Sequence, residues 1–257
     1  MRENTIRTIW QKGDAVLNGW LTIPGIWTAE LMSHQGYDSM TVDTQHGLIG
    51  YDVALPMLVA ISTTPVIPIA RAPWNEPGSI MKLLDAGAMG IICPMVNSRA
   101  EAEAFVGACR YAPQGYRSAG PTRVNVYAGS DYLQHANESI VTLAMIETAQ
   151  ALQNVDEIMS TPGLDGIYVG PTDLAISLGI RPGNLAEPRL DEAINTILAA
   201  AHKHGIVPGI HTSATDDSSR MIDRGFKFVT VLSDTGLLAD AARNAVKTVR
   251  AKGVSGH

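Results

Sequence analysis

Short apolar runs alternate along the chain with longer segments in which apolar positions recur every three or four residues. The runs are "NGWLTI" (18–23), "SMTV" (39–42), "PVIPIA" (65–70), "MGIICPM" (89–95), "VTLAMI" (141–146), "GIYVG" (166–170), "IVPGI" (206–210) and "FKFVTVL" (226–232), eight in all. Most are apolar at consecutive positions, the pattern of strands covered on both faces, and they predict a parallel sheet sheathed by helices. The stretches between them carry helix punctuation. Thr28 to Gln35 stops at Gly36, Asp52 is placed to cap a helix running to about Thr63, Ser98 and Glu101 form a capping box, and Gly87 and Gly205 mark stops. Eight strand–helix units in 257 residues match a closed (β/α)8 TIM barrel. An open doubly wound sheet would also alternate, but the first turn reads "IPGIWT" and lacks the G-x-G-x-x-G fingerprint. No composition break marks a linker, so one domain is expected over 1–257. The loop 111–138 interrupts the rhythm with three glycines and two prolines; segments of this length inside a domain are commonly functional or disordered.

Composition narrows the function. A formal charge of -6 and the absence of a basic run argue against a nucleic-acid partner. The polar start "MRENTIRTIWQKGD" has no apolar centre of a signal peptide, and no apolar run approaches the roughly 20 residues of a membrane span. A cytoplasmic protein without membrane contact is expected. Cys93 and Cys109 fall in apolar segments and read as buried thiols.

In a barrel of this kind chemistry collects at the carboxyl ends of the strands. The residues following the apolar runs are Asp43, Gln45 and His46 after the second, Arg71 after the third, and Glu147 after the fifth. "GPTD" with Asp173 follows the sixth, His211 the seventh, and Ser233 with Asp234 the eighth. Each has a plainer reading: Thr148, Thr172 and Asp234 as helix caps, Glu147 as an ion-pair partner of Arg71, His46 as a core histidine. Together they suggest more. Glu147 and Asp173, from adjacent strands, suit a hard divalent cation that takes oxygen ligands, and the amides of "GPTD" offer a cradle for a substrate carboxylate. No lysine follows a strand, so Schiff-base chemistry has no amine there and a carbonyl substrate would need a metal for activation. His202 and His204 sit at a helix end, two positions apart and facing different ways, and are not read as a metal site. Tyr116, Arg117 and Arg123 in the long loop could contact an aldehyde or build a subunit interface.

The segments "VDTQHG" (42–47), "RAPWNEPGSIMKLLDAGAMGIICPMV" (71–96), "GYRSAGPTR" (115–123), "MIETAQAL" (145–152) and "TPGLDGIYVGPTDLAISLG" (161–179) resemble the HpcH/HpaI family of metal-dependent class II pyruvate aldolases. Aldolases of 4-hydroxy-2-oxoheptanedioate and of 2-keto-3-deoxy sugar acids are the similar members. The resemblance implies a barrel of the phosphoenolpyruvate/pyruvate type and an aldehyde-lyase of EC 4.1.2 type. Such an enzyme reversibly cleaves a 4-hydroxy-2-oxoacid to pyruvate, or a close 2-oxoacid such as hydroxypyruvate, and an aldehyde, through an enolate stabilised by Mg²⁺, Mn²⁺ or Co²⁺. It also implies roles. Glu147 and Asp173 match the metal ligands, Arg71 the group on the keto oxygen, His46 the catalytic base and Asp85 its carboxylate partner. Asp43 and Gln45 would orient those groups. Gly170, Pro171 and Thr172 would bind the pyruvate carboxylate, and Trp20 and His211 would line the substrate pocket. A homo-hexamer, a trimer of dimers exchanging the C-terminal helix "DTGLLADAARNAVKTVRAK", is implied as well. The chain departs from dicarboxylate-degrading members at Met145, at His211 and at Gln45, all around the substrate. An oxaloacetate decarboxylase, a CoA-ester lyase or a non-catalytic metabolite-binding relative are the alternatives.

Overall fold

The computed structural model describes residues 1–251. Eight parallel strands close into a barrel in sequence order, β8 pairing with β1. They are β1 (Val16–Leu21), β2 (Ser39–Asp43), β3 (Ile67–Arg71), β4 (Gly90–Cys93), β5 (Val141–Ile146), β6 (Gly166–Val169), β7 (Val207–Thr212) and β8 (Phe228–Ser233). Each lies within one of the predicted runs or overlaps it. β2 to β6 are buried at every position, as strands enclosed by neighbours, helices and barrel interior must be.

The helices are α1 (Thr5–Gln11), α2 (Ile26–Ser33), α3 (Tyr51–Ile61), α4 (Pro77–Asp85), α5 (Arg99–Cys109), α6 (Arg123–Ala128), α7 (Tyr132–Ser139), α8 (Ala149–Gln153), α9 (Val155–Met159), α10 (Pro171–Ser177), α11 (Pro188–His204), α12 (Thr215–Arg224) and α13 (Asp234–Arg250). Their ends follow local chemistry. Ser98 Oγ accepts from the Glu101 amide at 3.3 Å, but the Glu101 carboxylate returns to the Asn97 amide at 2.5 Å, one residue before the expected partner. Gly50, not Asp52, caps α3; Asp52 sits in the first turn, where its charge suits the helix dipole. Thr148 caps α8, whereas Thr172 and Asp234 lie inside helices capped by Gly170 and Ser233. The 111–138 segment folds into α6 and most of α7.

No helix among the described residues is long and apolar enough to cross a membrane. From Leu238 onward every described residue of α13 is exposed, including Leu238, Val246 and Val249 on one stripe. Lys252, the last residue of the segment expected to be exchanged, lies outside the described residues.

Candidate active site

The carboxyl ends of the strands surround a cavity of about 380 Å³ whose wall includes Trp20, Asp43, His46, Arg71, Met145, Glu147, Thr172, Asp173 and His211. Asp43 is its organiser. Register sets Asp43 opposite Arg71 at the ends of β2 and β3, and the carboxylate takes the Arg71 Nε at 2.8 Å and Nη2 at 2.5 Å. It also accepts from the amides of Gln45 (3.0 Å) and His46 (3.2 Å) and from Trp20 Nε1 at 3.3 Å. Burial pushes the Asp43 carboxyl up, but the Arg71 hydrogen bond and charge, with the two amides, outweigh it and hold the group below its ordinary value. The turn fits only because position 47 is glycine: a Cβ there would stand 2.2 Å from the Asp43 carbonyl oxygen. His46 is thereby lifted to the rim, exposed, which removes the reading of a core histidine.

Arg71 therefore pairs with Asp43 and not with Glu147. Its guanidinium also lies over the Trp20 ring, 4.9 Å from the centroid. Glu147 is buried and accepts one hydrogen bond, from the Met95 amide at 2.7 Å; Met95 holds the left-handed φ of 56° that costs a non-glycine residue energy. Burial raises the Glu147 carboxyl to about 7, with the Asp173 charge adding to the rise and the Met95 amide and Arg71 opposing it. Among the described residues neither Glu147 nor Asp173 forms an ion pair. Two neighbouring carboxylates left without a cation fit a dication that brings water and substrate oxygens as its other ligands. No group of three or more His, Cys, Asp or Glu side chains suited to a metal occurs among the described residues.

Gly170 serves the site by its lack of a side chain: a Cβ would meet Glu147 Oε2 at 2.5 Å. Its amide is engaged by the Ile146 carbonyl at 3.4 Å and Pro171 has no N–H, so of the three cradle residues only Thr172 offers a free amide. Gln45 reaches the network through its backbone, while its Oε1 is buried without a partner.

Asp85 does not reach His46 within its own chain. It ends α4, toward the amino-terminal rim of the barrel, and accepts from the buried Arg117 at 2.6 Å. No hydrogen bond joins it to His46 within the chain. The reason is topological: a helix following a strand runs back down the barrel, so its last residue leaves the rim where its first began. The 111–138 loop lies on that lower side too. There Arg117 also donates to Tyr132, Arg123 to the Ala86 carbonyl and Ser62, and Tyr116 to the Ala104 carbonyl; these residues staple the loop and do not face their own chain's cavity. Burial pushes the Cys109 thiol up to about 12 and that of Cys93 well up, which leaves both inert. His204 Nε2 lies 2.7 Å from the exposed Asp156 carboxylate, which also takes Lys203 Nζ at 2.7 Å, a surface contact at a helix end.

Sequence reading missed Met95, Tyr168, Asn18 and Thr230. Single polar residues inside apolar runs, as in "NGWL" and "FVTV", were the available signal.

A family model of the HpcH/HpaI aldolase/citrate lyase family matches residues 24–241. The hydroxypyruvate/pyruvate aldolase of Rhizorhabdus wittichii is 44% identical over 249 residues, 96% of this chain and 99% of that protein. The 4-hydroxy-2-oxo-heptane-1,7-dioate aldolase of Escherichia coli is 34% identical over 93% of this chain and 92% of its own length. Among solved structures, an HpcH/HpaI aldolase/citrate lyase family protein from Burkholderia cenocepacia superposes with a TM-score of 0.90 at 32% identity, over 96% of this chain and 99% of that one. A protein CitE from Mycobacterium tuberculosis, solved with magnesium and pyruvate, shares the fold at a TM-score of 0.56 and 17% identity, over 85% of this chain and 86% of its own. The chain belongs to the HpcH/HpaI aldolase/citrate lyase family, a family of carbon–carbon lyases built on a TIM barrel.

Proposed function

We propose that the protein is a divalent-cation-dependent aldolase that reversibly cleaves a 4-hydroxy-2-oxoacid into pyruvate, or hydroxypyruvate, and an aldehyde. The observation that carries this reading is the unpaired carboxylate couple Glu147 and Asp173 in one cavity with a buried arginine. The names of the two relatives support the substrate class. Glu147 and Asp173 would hold Mg²⁺, Mn²⁺ or Co²⁺, and the cation would supply Lewis acidity at the keto oxygen.

The chain's own residues do the rest. Arg71, fixed by two hydrogen bonds to Asp43, keeps positive charge where the enolate oxygen develops, so little reorganisation accompanies the reaction. The Thr172 amide at the start of α10 receives the substrate carboxylate. Trp20 covers one face of the cavity and excludes water. His46, exposed at the rim with its backbone tied to Asp43, accepts the proton of the C4 hydroxyl as the C3–C4 bond breaks. That clustering explains "VDTQHG": Asp43 positions Arg71 and the turn, and His46 handles the proton.

A second copy of the chain is proposed to cover the exposed apolar stripe of α13 and give the hexamer. Val246→Glu should then lower the assembly mass in sedimentation; an unchanged mass removes that stripe from the interface. The function itself is tested with chelator-stripped protein and pyruvate in heavy water, following the methyl proton signal. Exchange that appears only on adding Mg²⁺, Mn²⁺ or Co²⁺ is expected, and no exchange with any of them would overturn the reading.

A further inference from the structure

Barrel interiors are ordinarily filled by branched apolar side chains. Beneath this cavity, five fully buried side chains instead carry polar groups: Asn18, Ser39, Thr41, Thr230 and Tyr168. Register assembles them, since Asn18 stands opposite Ser39 on β2 and Thr230 on β8, and Thr230 stands opposite His211 on β7. Ser39 Oγ and Thr41 Oγ1 each reach Asn18 Oδ1 at 2.9 Å, and Asn18 Nδ2 reaches Thr230 Oγ1 at 2.9 Å. Thr230 Oγ1 is 2.5 Å from the Tyr168 hydroxyl, which is 3.0 Å from His211 Nδ1.

Counting protons fixes the direction of this column. Turning the Asn18 amide over would leave the buried Ser39 and Thr41 hydroxyl protons without acceptors, because Asn18 is their only hydrogen-bond partner among the described residues. With the amide as placed, Nδ2 donates to Thr230, whose own proton has one remaining acceptor, the Tyr168 oxygen. Tyr168 then donates to His211 Nδ1. The reverse arrangement, with His211 donating and Tyr168 donating onward, strands the Thr230 proton in the core. His211 therefore carries its proton on Nε2, which has no partner among the described residues. Burial and the Arg71 charge, against the opposing charge of Asp43, also depress its imidazole to about 4, so the ring is neutral at ordinary pH.

His211, on β7, stands across the eight-stranded barrel from Arg71 at the end of β3, and both line the cavity. The Trp20 ring meets His211 edge-on at 4.9 Å between centroids and Arg71 at 4.9 Å from its guanidinium carbon. An oxygen that contacts His211 while the keto group contacts Arg71 thus belongs to the distal, aldehyde-derived half of the substrate. A neutral N–H suits a hydroxyl there, whereas a carboxylate tail would call for a cation.

We propose that this column locks His211 in the Nε2–H tautomer, and that this N–H selects aldehydes bearing a hydroxyl on the carbon next to the carbonyl. The proposal rests on the aldolase reading above and deepens it. The test compares glycolaldehyde with its near-isostere propanal as acceptors for pyruvate in the cation-loaded enzyme. The wild type should favour glycolaldehyde in kcat/KM by about tenfold or more, the scale of one hydrogen bond made to a substrate hydroxyl. His211→Phe should bring that ratio toward one, and His211→Gln, whose amide can donate from the same place, should restore part of it. ¹⁵N spectra of the histidine-labelled wild type should show the Nε2–H form at His211, and Tyr168→Phe should shift it toward a mixture. An Nδ1–H signal, or a wild-type ratio near one in an enzyme that exchanges pyruvate protons, overturns the proposal alone. Absence of that exchange overturns the aldolase reading instead, and the spectra then still decide the tautomer.

Discussion

At the amino-terminal rim, Arg110 and Arg7 share Asp165 (3.2 and 2.8 Å), and Arg117 holds Asp85 at 2.6 Å. At the carboxyl-terminal rim, Asp43 and Arg71 form one such pair, but Glu147 and Asp173 lie in the same cavity with none. The lower rim also leaves buried polar atoms unsatisfied among the described residues, the Tyr111 and Tyr127 hydroxyls and one nitrogen each of Arg110 and Arg117, yet both arginines still pair with a carboxylate. Pairing on one side closes the barrel's floor. Withholding it on the other leaves two carboxylates available to a ligand, at a cost in stability that a bound cation would reverse. The difference separates residues that hold the fold from residues proposed to do chemistry.

Variants can break that contrast. The largest effect is expected from Glu147→Gln or Asp173→Asn, each lowering cation-dependent turnover by about a thousandfold or more while the folded circular-dichroism spectrum persists. Turnover retained in chelator would remove both from metal binding. Next, Arg71→Ala should lower kcat by about 10²–10³, as for loss of a donor at a developing oxyanion, with a smaller change in KM. It should also destabilise the fold by about 3–5 kcal/mol, because Asp43 is left buried and unpaired. An unchanged kcat would take Arg71 off the enolate.

On the lower rim, Arg110→Met should leave kcat within about twofold and cost about 1–3 kcal/mol in urea unfolding, since Asp165 keeps Arg7. A loss of kcat beyond its loss of folded protein would erase the contrast between the rims.

The smallest effect is a pH slope in chelator. The native protein holds the Glu147 proton up to about 7, whereas an unfolded glutamate releases it near pH 4.3. This group's stabilisation is therefore full below pH 4.3 and is lost as pH rises through 7. His211, depressed to about 4, acts oppositely, destabilising the fold as pH falls below roughly 6.5. Subtracting the urea midpoints of Glu147→Gln from wild type between pH 5 and 8 isolates the first slope, which should fall with pH. A flat difference would show that the carboxyl is not held protonated.

The eight strands were readable because each is a local run whose continuous apolarity reports burial on two faces. The rim residues Asp43, His46, Arg71, Glu147, Asp173 and His211 were readable for a related reason: in a parallel barrel every strand points the same way, so position after a run implies position at one rim. Pairings across elements were not. That Arg71 goes to Asp43 and leaves Glu147 free depends on register between β2 and β3, which no local pattern encodes. Asp85 drops to the lower rim because α4 runs opposite to the strands. The polar column behind His211 exists only because closure brings β8 beside β1, setting Thr230 against Asn18 across most of the chain. Sequence determined which chemistry reaches the rim, since periodicity and strand direction are local. Tertiary closure decided which groups neutralise one another, since that depends on distances between segments far apart along the chain.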